Sequence, residues 1–138
     1  MTRPFSNALR CLQNSGLRPT RQRLVLAKLL FDGDDRHVTA ETLHQEVSKL
    51  GDRVSLATVY NTLHQFKQVN LLKEVVIDSG CTYFDTNVSE HHHLFFKEEK
   101  YLQDIDKSDL KISALPQVPE GKTISSISVV VHIKNSDD

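Results

Sequence analysis

Along the first half of the chain, apolar side chains return every three or four positions, the period of a helix with one face against a core. Phe5 to Gln13 puts Leu9 and Leu12 on one side and stops at Asn14-Ser15-Gly16, a cluster that ends helices. A second run starts at Thr20, whose hydroxyl suits a capping position, carries Leu24, Val25, Leu29 and Leu30, and breaks at Asp32-Gly33-Asp34-Asp35. Thr39 caps a third run, with Leu43, Val47 and Leu50 on one face and Gly51 at its end. Ser55 caps a fourth, with Val59, Leu63 and Phe66 on one face. From Leu72 the period shortens. Leu72 to Ile77 is rich in branched residues, Asp78-Ser79-Gly80 is a turn signal, and Cys81 to Asp85 holds two aromatics, which predicts a β-hairpin.

Helices closed by a hairpin follow the order of a winged helix. Beyond Thr86-Asn87 come two strand-like runs, His91 to Phe96 and Tyr101 to Ile105, around the charged turn Lys97-Glu98-Glu99-Lys100. Lys107 to Leu115 is predicted as a short helix, Pro116 and Pro119 bound a loop, and Ile124 to Ile133 is a strongly β-branched strand. The expectation is therefore an α+β chain: a winged helix-turn-helix domain over residues 1–86, then a small α/β domain over residues 87–138. A strand as apolar as Ile124 to Ile133, in a domain that small, has too little core of its own to cover it, so a homodimer is expected.

Charge changes the picture more than composition does. The net charge of −1 over 138 residues argues by itself against nucleic acid. The average hides an asymmetry: residues 1–80 carry eleven Lys or Arg against eight Asp or Glu, whereas residues 81–138 carry six against ten. A DNA-facing half and a cation-binding half would look like this. The two cysteines, Cys11 and Cys81, form neither a disulfide framework nor a CxxC pair, so no structural four-cysteine zinc is expected. No apolar run is long enough for a bilayer, and the N-terminus lacks the order of a signal peptide, so the chain reads as cytoplasmic with no membrane partner.

The third and fourth helices, separated by Gly51-Asp52-Arg53-Val54, have helix-turn-helix spacing. With Val59, Leu63 and Phe66 turned inward, Ala57, Thr58, Tyr60, Asn61 and His64 are left on the outer face, a set suited to base edges, phosphates and thymine methyls. Arg18, Arg21, Arg23 and Arg53 are the natural phosphate contacts. A solvated helix face with scattered arginines is the other reading of the same spacing. The densest chemistry lies at Ser89-Glu90-His91-His92-His93-Leu94. On an extended backbone His91 and His93 point one way, and Glu90 and His92 the other. Neutral imidazoles bind iron, zinc and manganese, and carboxylates complete sites for the harder ions. Asp85 is close in sequence, Asp104 faces the run across the turn at residues 97–100, and His37 precedes the third helix. A solvent-exposed histidine run, with His37 and His132 bonded locally, is the plain alternative.

The stretches Gly16-Leu17-Arg18-Pro19-Thr20-Arg21-Gln22-Arg23, His37-Val38-Thr39-Ala40-Glu41-Thr42-Leu43 and Leu56-Ala57-Thr58-Val59-Tyr60-Asn61-Thr62-Leu63 closely resemble the ferric uptake regulator (Fur) family, as do Tyr83-Phe84-Asp85 and the histidine cluster. The resemblance implies a dimeric repressor of palindromic operators, with a regulatory divalent metal (iron, manganese or zinc) on His37, Asp85, His91, His93 and Asp104. Asp at the second and fifth of these positions resembles the peroxide-sensing PerR branch. A second family site would use Glu90, His92 and His132, with Lys111 near its remaining carboxylate position. Phe96-Lys97-Glu98-Glu99 stands where many members carry the first of two CxxC pairs. The iron response regulator branch, Irr, lacks those cysteines, carries the triple histidine and has a loop like Pro119-Glu120-Gly121, so the chain resembles that branch most. Irr implies control of iron and haem homeostasis, with haem on the histidine cluster. In some members haem also uses a Cys-Pro motif, and here Cys11 precedes Leu12. Other functions compatible with the residues are a peroxide-, manganese- or zinc-sensing repressor, a metallohydrolase built on the His/Asp cluster, and a metal-storage or interaction module. No nucleophile or phosphate loop marks an enzyme.

Overall fold

The computed structural model describes residues 5–78 and 80–137, so Ser79 of the expected turn lies outside the described residues. The chain packs as two units, Met1–Val88 and Ser89–Asp138.

The first unit runs α1 (Ser6–Asn14), α2 (Arg21–Phe31), β1 (His37–Val38), α3 (Ala40–Lys49), α4 (Leu56–Gln68), β2 (Lys73–Asp78) and β3 (Cys81–Asp85). Each cap expected from the sequence is made. Thr20 Oγ1 accepts from Arg23 N at 3.3 Å and Ser55 Oγ accepts from Thr58 N at 3.1 Å. Thr39 and Thr42 form a reciprocal capping box, each hydroxyl accepting from the other's backbone N–H at 3.1 Å. These bonds satisfy amides that a helix start leaves without partners. The apolar stripes meet in one core that includes Leu12, Leu26, Leu30, Leu43, Val47, Val59, Leu63, Phe66 and Phe84.

Two apolar positions depart from expectation. Leu9 is exposed while Ala8 is buried with Leu12, because the i, i+4 pair that faces the core is shifted by one residue. Leu50 is 62% exposed because the helix has already ended there: Leu50 is the C-cap, and Gly51 follows with φ +86°, the left-handed turn that a glycine supplies without a Cβ clash. The sheet has the order β1-β3-β2, antiparallel throughout. Strand β1 was not expected.

The second unit holds β4 (His93–Phe96), β5 (Tyr101–Asp104) and β6 (Val130–Ile133) in the order β5-β4-β6, with β4 antiparallel to β5 and parallel to β6. Phe95 and Leu102 are its buried apolar pair. Lys107 to Leu115 is not a helix, and the strand expected over Ile124 to Ile133 is confined to its last four residues. The physical reason is the same for both. Ile112, Leu115, Val118 and Ile124 are all exposed, and neither helix nor strand persists on propensity alone without a surface to pack against. The α+β class is as expected. Among the described residues no helix is long and apolar enough to cross a membrane.

Candidate metal centre and nucleic-acid interface

In the first unit, pairing of β1 with β3 makes His37 and Asp85 direct cross-strand partners, with His37 Nε2 at 3.1 Å from Asp85 Oδ2. The flanking residues lock this register: Arg36 N donates to Thr86 Oγ1 at 2.8 Å, and Thr86 N donates to Arg36 O at 3.1 Å. The Arg36 guanidinium then ties β1 to its surroundings, forking onto Glu46 at 2.9 and 2.6 Å and donating to Leu29 O at 3.2 Å. Asp85 is buried to 1% exposure and accepts from Asn87 N at 2.9 Å. A carboxylate taken out of water is costly unless donors or a cation compensate it.

In the second unit, the turn at residues 97–100 brings His93 opposite Asp104. His91 Nε2 lies 3.3 Å and His93 Nε2 3.4 Å from the same atom, Asp104 Oδ1, with the two rings 4.5 Å apart. His91 Nδ1 meets Ser89 O at 2.6 Å, the kind of partner that fixes which ring nitrogen faces a ligand. Both histidines are buried, and with Asp104 they offer ligand atoms within 4.8 Å of one another. Neutral imidazoles with carboxylates fit zinc, iron or manganese by donor chemistry. Two donors in one unit and three in the other fall short, taken singly, of the four that zinc takes and the larger shells of harder ions.

The expected alternation holds, although the strand itself begins only at His93: His92 turns away from His91 and His93, and its Nδ1 accepts from Val129 N at 3.1 Å. Glu90 and His132 are exposed, and the His132 ring stands edge-on to Phe95 at 6.0 Å. Among the described residues Glu90, His92 and His132 do not form one ligand group.

On α4, Val59, Leu63 and Phe66 are fully buried, while Ala57, Tyr60 and Asn61 are exposed and Thr58 is half-buried. His64 differs from the rest of its set. Its ring lies edge-on to Tyr60 at 4.5 Å and to Phe84 at 5.4 Å, with Nε2 buried and without a hydrogen-bond partner among the described residues. Arg18 and Arg53 are exposed. Arg21 pairs with Asp52 at 3.4 Å, and Arg23 bonds Gln65 and Arg18 O. The partners Asp52 and Gln65, 31 and 42 residues from the arginines that hold them, had no signal in spacing or composition.

The profile of the ferric uptake regulator family matches residues 14–132. The chain belongs to that family. The ferric uptake regulation protein of Shigella flexneri is 34% identical over 82 residues, 59% of this chain and 55% of that protein. The peroxide-responsive repressor PerR of Staphylococcus saprophyticus is 30% identical over 94 residues, 68% of this chain and 63% of that protein. The chain thus aligns with less than two thirds of the length of these relatives. The ferric uptake regulator of Pseudomonas aeruginosa with manganese shares the fold at TM-score 0.71 and 21% identity, covering 94% of this chain and 98% of that one. The family and these relatives are regulators and a repressor, which lends no support to the hydrolase reading of the His/Asp residues.

Proposed function

We propose that this chain is a metal-responsive repressor that binds a palindromic operator in double-stranded DNA as a homodimer. A winged-helix domain over residues 1–86 would read DNA, with Ala57, Thr58, Tyr60 and Asn61 toward the bases and Arg18 and Arg53 toward phosphates. Residues 87–138 would dimerise. The observation that carries this reading is the split donor set: His37 and Asp85 belong to one unit, and His91, His93 and Asp104 to the other. An ion shared by all five would link the reading helix to the dimer. Its charge would neutralise the carboxylates of Asp85 and Asp104. A palindrome tolerates only one separation of the two reading helices, so such a link is a means of control.

The test is a metal titration with and without the DNA upstream of the chain's own gene. Coupling is reciprocal, so whatever factor metal adds to DNA affinity, DNA must add to metal affinity, typically about 1–3 kcal/mol. His93→Ala should abolish the coupling and leave non-specific DNA binding nearly intact, since the basic excess lies in the other half. Equal metal affinity with and without operator would sink the proposal.

Within the family we read the chain as nearest the Irr branch, governing iron and haem genes, with haem as a second ligand of the His91 to His93 cluster. The run of three histidines and the absence of CxxC pairs support this. Cys11 is followed by Leu12 and not by the proline of the Cys-Pro motif, which favours imidazole over thiolate as the axial ligand. An unchanged Soret band after all three histidines become Ala would exclude it. A manganese- or zinc-responsive or peroxide-sensing repressor is the competing reading, supported by the PerR relative and by the N/O donor chemistry.

A further inference from the structure

We infer that Arg23 is a positioning residue that holds the reading stripe of α4 and the phosphate-facing Arg18 in one register, an inference that rests on the DNA-binding reading above. Charge and place alone make Arg23 a phosphate contact. Its hydrogen bonds assign it otherwise. Nε and Nη2 both donate to a single atom, Gln65 Oε1, at 3.3 and 3.0 Å, and Nη1 donates to Arg18 O at 2.9 Å. One rigid guanidinium therefore grips three places: the start of α2, the α1–α2 loop and the second half of α4.

Gln65 stands on the same helical stripe as Thr58 and Asn61, at i, i+3 and i+7. Both lone pairs of its oxygen are used by the fork, so rotating α4 about its axis, or sliding it, breaks two bonds together. The third bond fixes the loop whose exposed Arg18 side chain is free to meet a phosphate. Phosphate contacts set the register in which base contacts are read, so a link between the two is a determinant of specificity. Arg21 shows the contrast: its side chain is 68% exposed, held by a single 3.4 Å ion pair to Asp52 and by the face of the Phe5 ring 5.2 Å away, neither of them a fork, and it can swing from them to DNA.

The test separates charge from shape. Arg23→Lys keeps the positive charge but cannot fork onto one acceptor, and Gln65→Ala removes the acceptor while leaving every charge in place. Affinity for the DNA upstream of the chain's own gene and for unrelated duplex DNA is measured as a function of salt, with the full-length chain and thermal melts to confirm folding. Both variants should lose about tenfold or more of operator affinity, the scale of one lost groove contact. Unrelated DNA should bind within about twofold of wild type, with an unchanged salt slope. A phosphate contact predicts the reverse: Arg23→Lys binds like wild type, Gln65→Ala is silent, and Arg23→Ala lowers the slope by about one unit. That outcome overturns the positioning role while leaving the function intact. A wild-type chain that binds both DNAs equally overturns the DNA-reading function, and this role with it.

Discussion

An imidazole nitrogen buried without a hydrogen bond costs about 1–3 kcal/mol, and His64 Nε2 is such an atom. What the ring provides is contact, edge-on to Phe84 of β3 and to Tyr60, which stands 47% exposed on the reading face. His64→Phe should therefore raise the melting temperature and keep operator affinity, whereas His64→Ala should lose affinity by releasing Tyr60. If His64 touches a base, Phe and Ala will be equally defective. Tyr60→Ala should weaken specific binding by about 1–3 kcal/mol without unfolding the protein, as read by gel shift and circular dichroism. At this scale the sequence told less than at any other. The exposed members of the α4 face follow from the helical period, but nothing in the spacing distinguishes a histidine on solvent from one wedged against a strand twenty residues on. The metal candidates were more legible, because a tight turn between two short strands constrains which residues can face one another, and Asp104 duly pairs with His93.

Elements with both a period and a cap could be located from the sequence within a residue or two. Helices α2, α3 and α4 have both, whereas α1 starts at Phe5 without a side-chain cap and is marked by its period and the cluster that ends it. Strand β1 has two residues, too few to show any period, and is defined by its partner β3 instead. The failures at Lys107 to Leu115 and Ile124 to Val129 are of another kind: propensity was present, and the packing surface was not. On the proposed function the link between α3 and α4 sets the angle of the reading helix, and it turns on Gly51 in a left-handed conformation. No atom lies within 4 Å of where a Cβ would stand, so Gly51→Ala meets backbone strain alone. That strain is worth about 1–2 kcal/mol, to be seen as a lower urea midpoint at unchanged m-value. An unchanged midpoint would mean that the turn relaxes at no cost.

For the whole molecule the expected partner is a second copy. Val131 on β6 is exposed along with Ile112, Leu115, Val118 and Ile124, a set of apolar side chains that the described residues leave uncovered. Sedimentation should give a dimer at micromolar concentration with metal present, and a monomer there would refute the assembly. The same region has a kinetic side. Strand β6 joins β4 in parallel only after a stretch, residues 105–129, without regular structure, and it brings back four residues. Closing a loop of that length costs about 3 kcal/mol of chain entropy, against a handful of backbone hydrogen bonds each worth about 1 kcal/mol net. The last strand is thus poised near its own opening equilibrium. Its amides at Val130 to Ile133 should exchange with deuterium sooner than those of β4 and β5, and sooner still on dilution, as the copies separate.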